Sequence, residues 1–213
     1  MFGFVFFSAF IAALSGAMMP GPMMTAVVAE APRKGFWTGP LYVAGHAVLE
    51  LVLLVLIYLG LGGFLLLPFV RTLCFLAGGP VLIWFAYGLL RSLGKGPAAD
   101  IQDIPKTPRP PAFLNGILIS AANPYWILWW VTTGTASLAI AAPFGPAGYL
   151  VFFFGHILAD LAWYSFVSFS ANRAGRFLPP SGLRIVSIVC AVLLALFGGS
   201  FLAAGLLRII GRT

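Results

Sequence analysis

The chain is 213 residues long, 61% hydrophobic and only 8% charged, with a mean hydropathy of +1.04. An ordinary soluble domain carries about 25% charged residues, so this chain lacks the charge to keep its surface in water, and a soluble enzyme or nucleic-acid-binding domain is excluded. The net charge of +7 is therefore read first as membrane topology.

A hydrocarbon core of about 30 Å takes roughly 20 apolar residues per helix. Runs free of Asp, Glu, Lys and Arg cover residues 1–29, 51–70, 72–90, 110–159 and 185–207. The longest contains Pro143, Gly145 and Pro146, a helix-breaking cluster, and so holds two spans. The expected helices are 4–30, 37–62, 68–93, 112–139, 146–171 and 183–209, an all-α integral membrane protein of six transmembrane helices.

Span one carries Met19-Pro20-Gly21-Pro22 inside its apolar run. Proline removes an amide donor and clashes with the preceding turn, so the helix must break. Proline suits the first position of a helix, with glycine or asparagine before it as cap, and Pro22 reads as the start of a half-helix. Residues Phe4 to Ala17 have the outline of a signal peptide but lack a basic n-region. Glu30 ends the span beside Pro32, Arg33 and Lys34 as a solvated or salt-bridged interfacial acid.

Span two places His46 and Glu50 at i and i+4, on one helix face and near the membrane midplane. A carboxyl group there is protonated, paired or in a wet cavity, and its default reading is functional. Cys74 in span three and Cys190 in span six read as small buried apolar residues, without zinc-type or redox spacing. Residues 94–111 form a Pro/Gly-rich hydrophilic linker between a first three-helix unit, 1–93, and a second, 112–213.

Span four repeats the break as Asn123-Pro124. Two half-helix N-termini inside the membrane expose amide groups and partial positive charge, suited to a substrate carboxylate. Trp126, Trp129 and Trp130 follow; stacking on a substrate cation is one reading, and the depth of Trp129 and Trp130 favours an interfacial aromatic belt. Span five carries His156 and Asp160, again at i and i+4.

These correspondences form a repeat. Gly45-His46-Ala47-Val48-Leu49-Glu50 returns as Gly155-His156-Ile157-Leu158-Ala159-Asp160, Gly78-Gly79 as Gly198-Gly199, Gly88-Leu89-Leu90-Arg91 as Gly205-Leu206-Leu207-Arg208, and Gly21-Pro22 as Asn123-Pro124. Three spans per half force the halves into opposite orientation, the inverted-repeat architecture of many secondary transporters, with spans one and four broken by proline. Span one is then part of the fold. Arg33, Lys34, Arg91, Lys95, Lys106, Arg109, Arg173, Arg176 and Arg184 lie in the odd-numbered loops. The positive-inside bias puts those loops, the linker included, in the cytoplasm and both termini outside.

The broken spans and the buried acids point to alternating access around a midplane site. Gly21, Pro22, Asn123 and Pro124 would receive a substrate carboxylate, and Glu50 and Asp160 its ammonium. His46, Glu50, His156 and Asp160 would carry coupling protons. The alternative is a divalent metal cation as cargo, with those same four side chains as ligands, provided that the two faces meet at the repeat axis.

Met19-Pro20-Gly21-Pro22, Gly35 and Gly39 entering span two, Asn123-Pro124 in span four and Asp160 in span five resemble the LysE/RhtB family of amino-acid exporters, over the whole chain. The resemblance implies a transporter rather than an enzyme, in a prokaryotic inner membrane, exporting amino acids under a proton gradient or membrane potential. The Gly-His-x-x-x-acid pair departs from the family pattern and keeps the metal alternative open. Membrane lipid and a small-molecule substrate are the expected partners, nucleic acid and cofactors are not, and a homo-oligomer is allowed. A membrane redox protein would need cysteines at the helix breaks, and a non-transporting membrane subunit would show no flux of its own.

Overall fold

The structure, a computed structural model, describes residues 1–19, 21–61, 67–93 and 110–211, and among these every regular element is helical. Most of the linker expected at 94–111 lies outside the described residues, as does Pro20.

Span one is two helices, α1 (Phe2–Ala17) and α2 (Pro22–Lys34), meeting at 75°. The cause is local. Gly21 is extended, at φ −142° and ψ −178°, and Pro22 opens α2 where its missing N–H costs no helical hydrogen bond. Helix α3 (Thr38–Tyr58) and α4 (Pro68–Leu93) complete the first half.

The second half opens with α5 (Ala112–Ala121), which stops at Ala122, and α6 (Pro124–Trp129) restarts after the extended Asn123. A π-helical turn (Trp130–Gly134) leads into α7 (Thr135–Ala141) and a 3-10 turn (Ala142–Phe144). Then come α8 (Gly145–Phe177) and α9 (Pro180–Ile209). Both proline breaks and the reversal at Pro143, Gly145 and Pro146 stand where the sequence puts them. Gly145 has φ +57°, a turn conformation that glycine alone adopts without strain.

Among the described residues, four stretches are long and apolar enough to cross a membrane: Thr38–Tyr58, Pro68–Arg91, Tyr125–Gly175 and Ser181–Ile209; the bent α1–α2 pair is a fifth if its two helices count as one span. The 51 residues of Tyr125–Gly175 would reach about 75 Å if straight, more than two hydrocarbon thicknesses. They fold back at Gly145, and α7 packs against α8.

Packing follows a pattern of exchange. Helix α1 lies along α8 as α5 lies along α3, and α4 lies along α9. Glycines set these approaches. A Cβ at Gly45 would strike the Phe113 carbonyl of α5, and one at Gly155 the Phe6 carbonyl of α1. A Cβ at Gly79 would lie 2.8 Å from the Gly198 carbonyl, and one at Gly198 2.7 Å from that of Gly79. Without a hydrophobic drive between helices in lipid, such close backbone approach is what holds them together. Polar pins add to it: Ser168 Oγ accepts from Gly39 N–H at 3.1 Å and donates to the Phe36 carbonyl at 2.7 Å, and Asn172 Nδ2 donates to the Ala31 carbonyl at 3.2 Å. These fasten α8 to the α2–α3 turn.

Gly45→Ala should therefore destabilise the protein by about 1–3 kcal/mol through overpacking, whereas Gly199→Ala, which meets nothing within 4 Å, should cost nothing. Thermal unfolding of the purified variants in detergent checks this, and equal melting temperatures would show that the Gly45 contact does not limit helix approach.

Candidate functional site

The glycine contacts also aim the site. With Gly45 pressed on α5 and Gly155 on α1, the next residue on each helix turns about 100° around the axis, and His46 and His156 both face the middle of the molecule. One turn on, Glu50 and Asp160 face it too.

The four side chains form one buried cluster, with a ligand atom from each lying within 4.8 Å of the others. His46 Nε2 is 3.1 Å from Glu50 Oε1 and 3.4 Å from Asp160 Oδ2; His156 Nε2 is 2.9 Å from Glu50 Oε2 and 3.4 Å from Asp160 Oδ2. Each histidine thus touches its own helix's acid and the other helix's acid. Exposure of the four residues runs from 1% at Glu50 to 8% at His46. Leaving two carboxylates unbalanced here would cost several kcal/mol each, so positive charge must be drawn to the cluster.

Glu50 is held most firmly. Its Oε1 accepts the indole N–H of Trp126 at 3.1 Å and of Trp130 at 3.0 Å. Trp130 is wholly buried, and its ring stacks on His156 with centroids 5.8 Å apart and planes 15° apart. Trp129 meets the same imidazole edge-on at 4.9 Å. This overturns the expected aromatic belt: Trp129 and Trp130 wall the cluster, and Trp130 holds an acid. The π-helical turn directly after Trp129 sets this register, with Gly134 leaving room beside the Trp130 ring.

His46 has a different neighbour. Its Nδ1 lies 2.8 Å from Ser120 Oγ, whose hydroxyl points to Met23 Sδ at 3.9 Å. With the hydroxyl so directed, the Ser120 oxygen is open to an Nδ1–H in the Nδ1-protonated tautomer of His46. His156 Nδ1, against the aromatic wall, has no hydrogen-bond partner among the described residues, and Glu50 Oε2 and Asp160 Oδ2 face the imidazole Nε2 atoms.

A cavity of about 320 Å³ opens onto the cluster. Its lining includes all four cluster residues, both break segments through Gly21, Pro22 and Asn123, and Trp129. The sequence-predicted residues other than Pro124, which opens α6, thus line one space. The two half-helix ends differ, however. Asn123 Oδ1 accepts the Tyr125 N–H at 3.1 Å and caps its own helix, whereas α2 has no side-chain cap. Of the two break positions, Asn123 caps its own helix through its side chain and Gly21 does not. Glu30 is bridged by Lys34 at 2.7 Å, away from the cavity. Ser120, Trp126 and Trp130 were not legible as partners of the cluster: each acts across helices, and no spacing along the chain signals it.

A family model described as LysE type translocator matches residues 14–205. The chain is 27% identical over 212 residues, 97% of its length and 99% of the relative's, to the protein named "Putative amino acid efflux protein YcgF" of Bacillus subtilis (strain 168). No solved structure matches the chain.

Trp130→Phe keeps the buried ring and removes one donor from Glu50. Hydrogen bonds to charged groups contribute about 1.5–3 kcal/mol, and the variant should unfold more easily by that amount. Trp163→Phe removes an indole N–H that is buried without a partner and should not; equal melting temperatures for the two would deny Trp130 its role.

Proposed function

The chain belongs to the LysE type translocator family, and on that premise we propose that it is a secondary transporter exporting amino acids or similar small zwitterions from the cytoplasm. The observation that carries this reading is the cavity with two unlike poles. The uncapped N-terminus of α2 at Gly21 and Pro22 offers partial positive charge to a carboxylate. Across the cavity, Glu50 and Asp160 with their histidines offer negative charge to an ammonium.

The remaining lining suits a small zwitterion. No Lys or Arg lines the cavity among the described residues, so an anion without an ammonium group lacks a counter-charge there. A volume of about 320 Å³ lies at the small end of ligand cavities, which run from about 300 to 1,000 Å³. Ala13, Ala17, Trp126 and Phe197 leave apolar room for a side chain. The relative's printed name, an amino acid efflux protein, agrees with this substrate class.

The architecture in this reading is six membrane spans in two inverted three-helix repeats, 1–93 and 112–213, with odd-numbered loops cytoplasmic and both termini outside. The exchange of α1–α8 for α5–α3 and the reciprocal contact of Gly79 and Gly198 support it. Rocking of one repeat against the other would expose the cavity to each side in turn, driven by the proton gradient or the membrane potential.

The test is release of radiolabelled amino acids from proteoliposomes, with and without an imposed proton gradient or potential. At least one amino acid should leave faster under the gradient, Asp160→Asn should slow it by about tenfold or more (about 1.4 kcal/mol), and Glu30→Gln should not. Full flux through Asp160→Asn would remove that carboxylate from the mechanism, and no movement of any amino acid would sink the exporter reading.

A further inference from the structure

Two ionised carboxylates in hydrocarbon need two positive charges, and the cluster can obtain them as two protons, one on each histidine, or as one divalent cation. The geometry separates these. A proton on Nε2 stabilises a neighbouring carboxylate through an aligned N–H···O bond, which weakens steeply off axis. Here each Nε2 stands 2.9–3.4 Å from a carboxylate oxygen of Glu50 and from Asp160 Oδ2, so a single N–H on either ring cannot be aimed at both acids. Donors gathered around a common centre, rather than aimed at one another, are the arrangement that a metal requires.

The spacing is within reach of one ion. Zinc bonds of about 2.0–2.2 Å to nitrogen and oxygen place neighbouring tetrahedral ligands about 3.3–3.6 Å apart; one ligand atom from each of the four side chains lies within 4.8 Å of the others, and the imidazole–carboxylate contacts of 2.9–3.4 Å are shorter, so small side-chain rotations bring the four to one ion. The surroundings agree. In the neutral tautomer whose Nδ1–H is donated to Ser120 Oγ, His46 directs its Nε2 lone pair at the cluster. The indoles of Trp126 and Trp130 hold Glu50 from outside, as outer-sphere donors orient a metal-binding carboxylate.

We propose that His46, Glu50, His156 and Asp160 form a binding site for one divalent transition metal of the zinc class, which staples α3 to α8. Two imidazoles favour zinc-like ions over magnesium or calcium, which take oxygen ligands. One such ion neutralises both carboxylates. Four protein ligands close the coordination shell, the pattern of a held ion rather than a cargo. An occupied site has no carboxylate free for a substrate ammonium and ties the first half of the chain to the second. The metal is therefore an inhibitor of transport; that consequence rests on the exporter reading, while the binding itself does not.

The experiment uses the purified full chain in detergent, stripped with chelator and titrated with Co²⁺. One equivalent should bind with the intense visible absorption of a four-coordinate ion, Zn²⁺ should bleach it and Mg²⁺ should not. His156→Ala and Asp160→Asn should abolish it. Ser120→Ala, which keeps all four ligands, should weaken binding by about tenfold or more, and Glu30→Gln should leave it intact. The faint spectrum of hydrated Co²⁺ alone, or stoichiometric binding that survives both ligand substitutions, overturns the site. In proteoliposomes, Zn²⁺ should slow amino-acid release and chelator restore it; unaltered release at saturating Zn²⁺ overturns the inhibition. Metal binding without any amino-acid flux defeats the exporter reading alone, and flux without metal binding defeats this one alone.

Discussion

Two carboxylates and two imidazoles share a few ångströms in a molecule whose surroundings are hydrocarbon, and the rest of the structure depends on making that concentration of charge tolerable. Separately, each ionised acid at membrane depth is a liability of several kcal/mol. Together, with histidines between them and indoles behind, they form a polar interior in which each group balances another. The glycines ahead of each histidine let α3 and α8 press against their neighbours, and the same contact rotates the histidines inward. The broken spans supply the cavity into which this interior opens. Packing, helix breakage and charge are thus consequences of one requirement.

The two halves meet that requirement differently. On α3, Glu50 receives two indole N–H groups and His46 leans on Ser120. On α8, His156 faces an aromatic wall, and Asp160 Oδ2 lies 3.4 Å from the Nε2 of each histidine. The paired sequence motifs therefore do not have paired surroundings.

Much of this was legible in the chain itself, because it rests on local chemistry. Pro22 and Pro124 break helices wherever they occur in an apolar run, and His46–Glu50 and His156–Asp160 share a face by helical spacing alone. The meeting of the two motifs was not given by spacing; it is the packing of α3 against α8 that brings them together. The tryptophans were misread for an equally physical reason. Counting residues from the entry of span four assumes an unbroken α-helix, and the break at Asn123 together with the π-helical turn at Trp130–Gly134 moves Trp130 from the expected interface to the interior. Ser120 carries no local signal at all. Its meaning comes from His46, which only the packing of α3 against α5 brings within reach.

The indoles around the cluster have a use beyond holding it. Three of the six tryptophans, Trp126, Trp129 and Trp130, stand against Glu50 or His156. Indole emission responds to the electric field and to hydrogen bonding at the ring nitrogen, and two of these nitrogens donate to one carboxylate oxygen. Any event that changes the charge of that oxygen is therefore written into the protein's own fluorescence. The molecule carries a built-in optical indicator at the point where its electrostatics are most finely balanced, and no label is needed to read it.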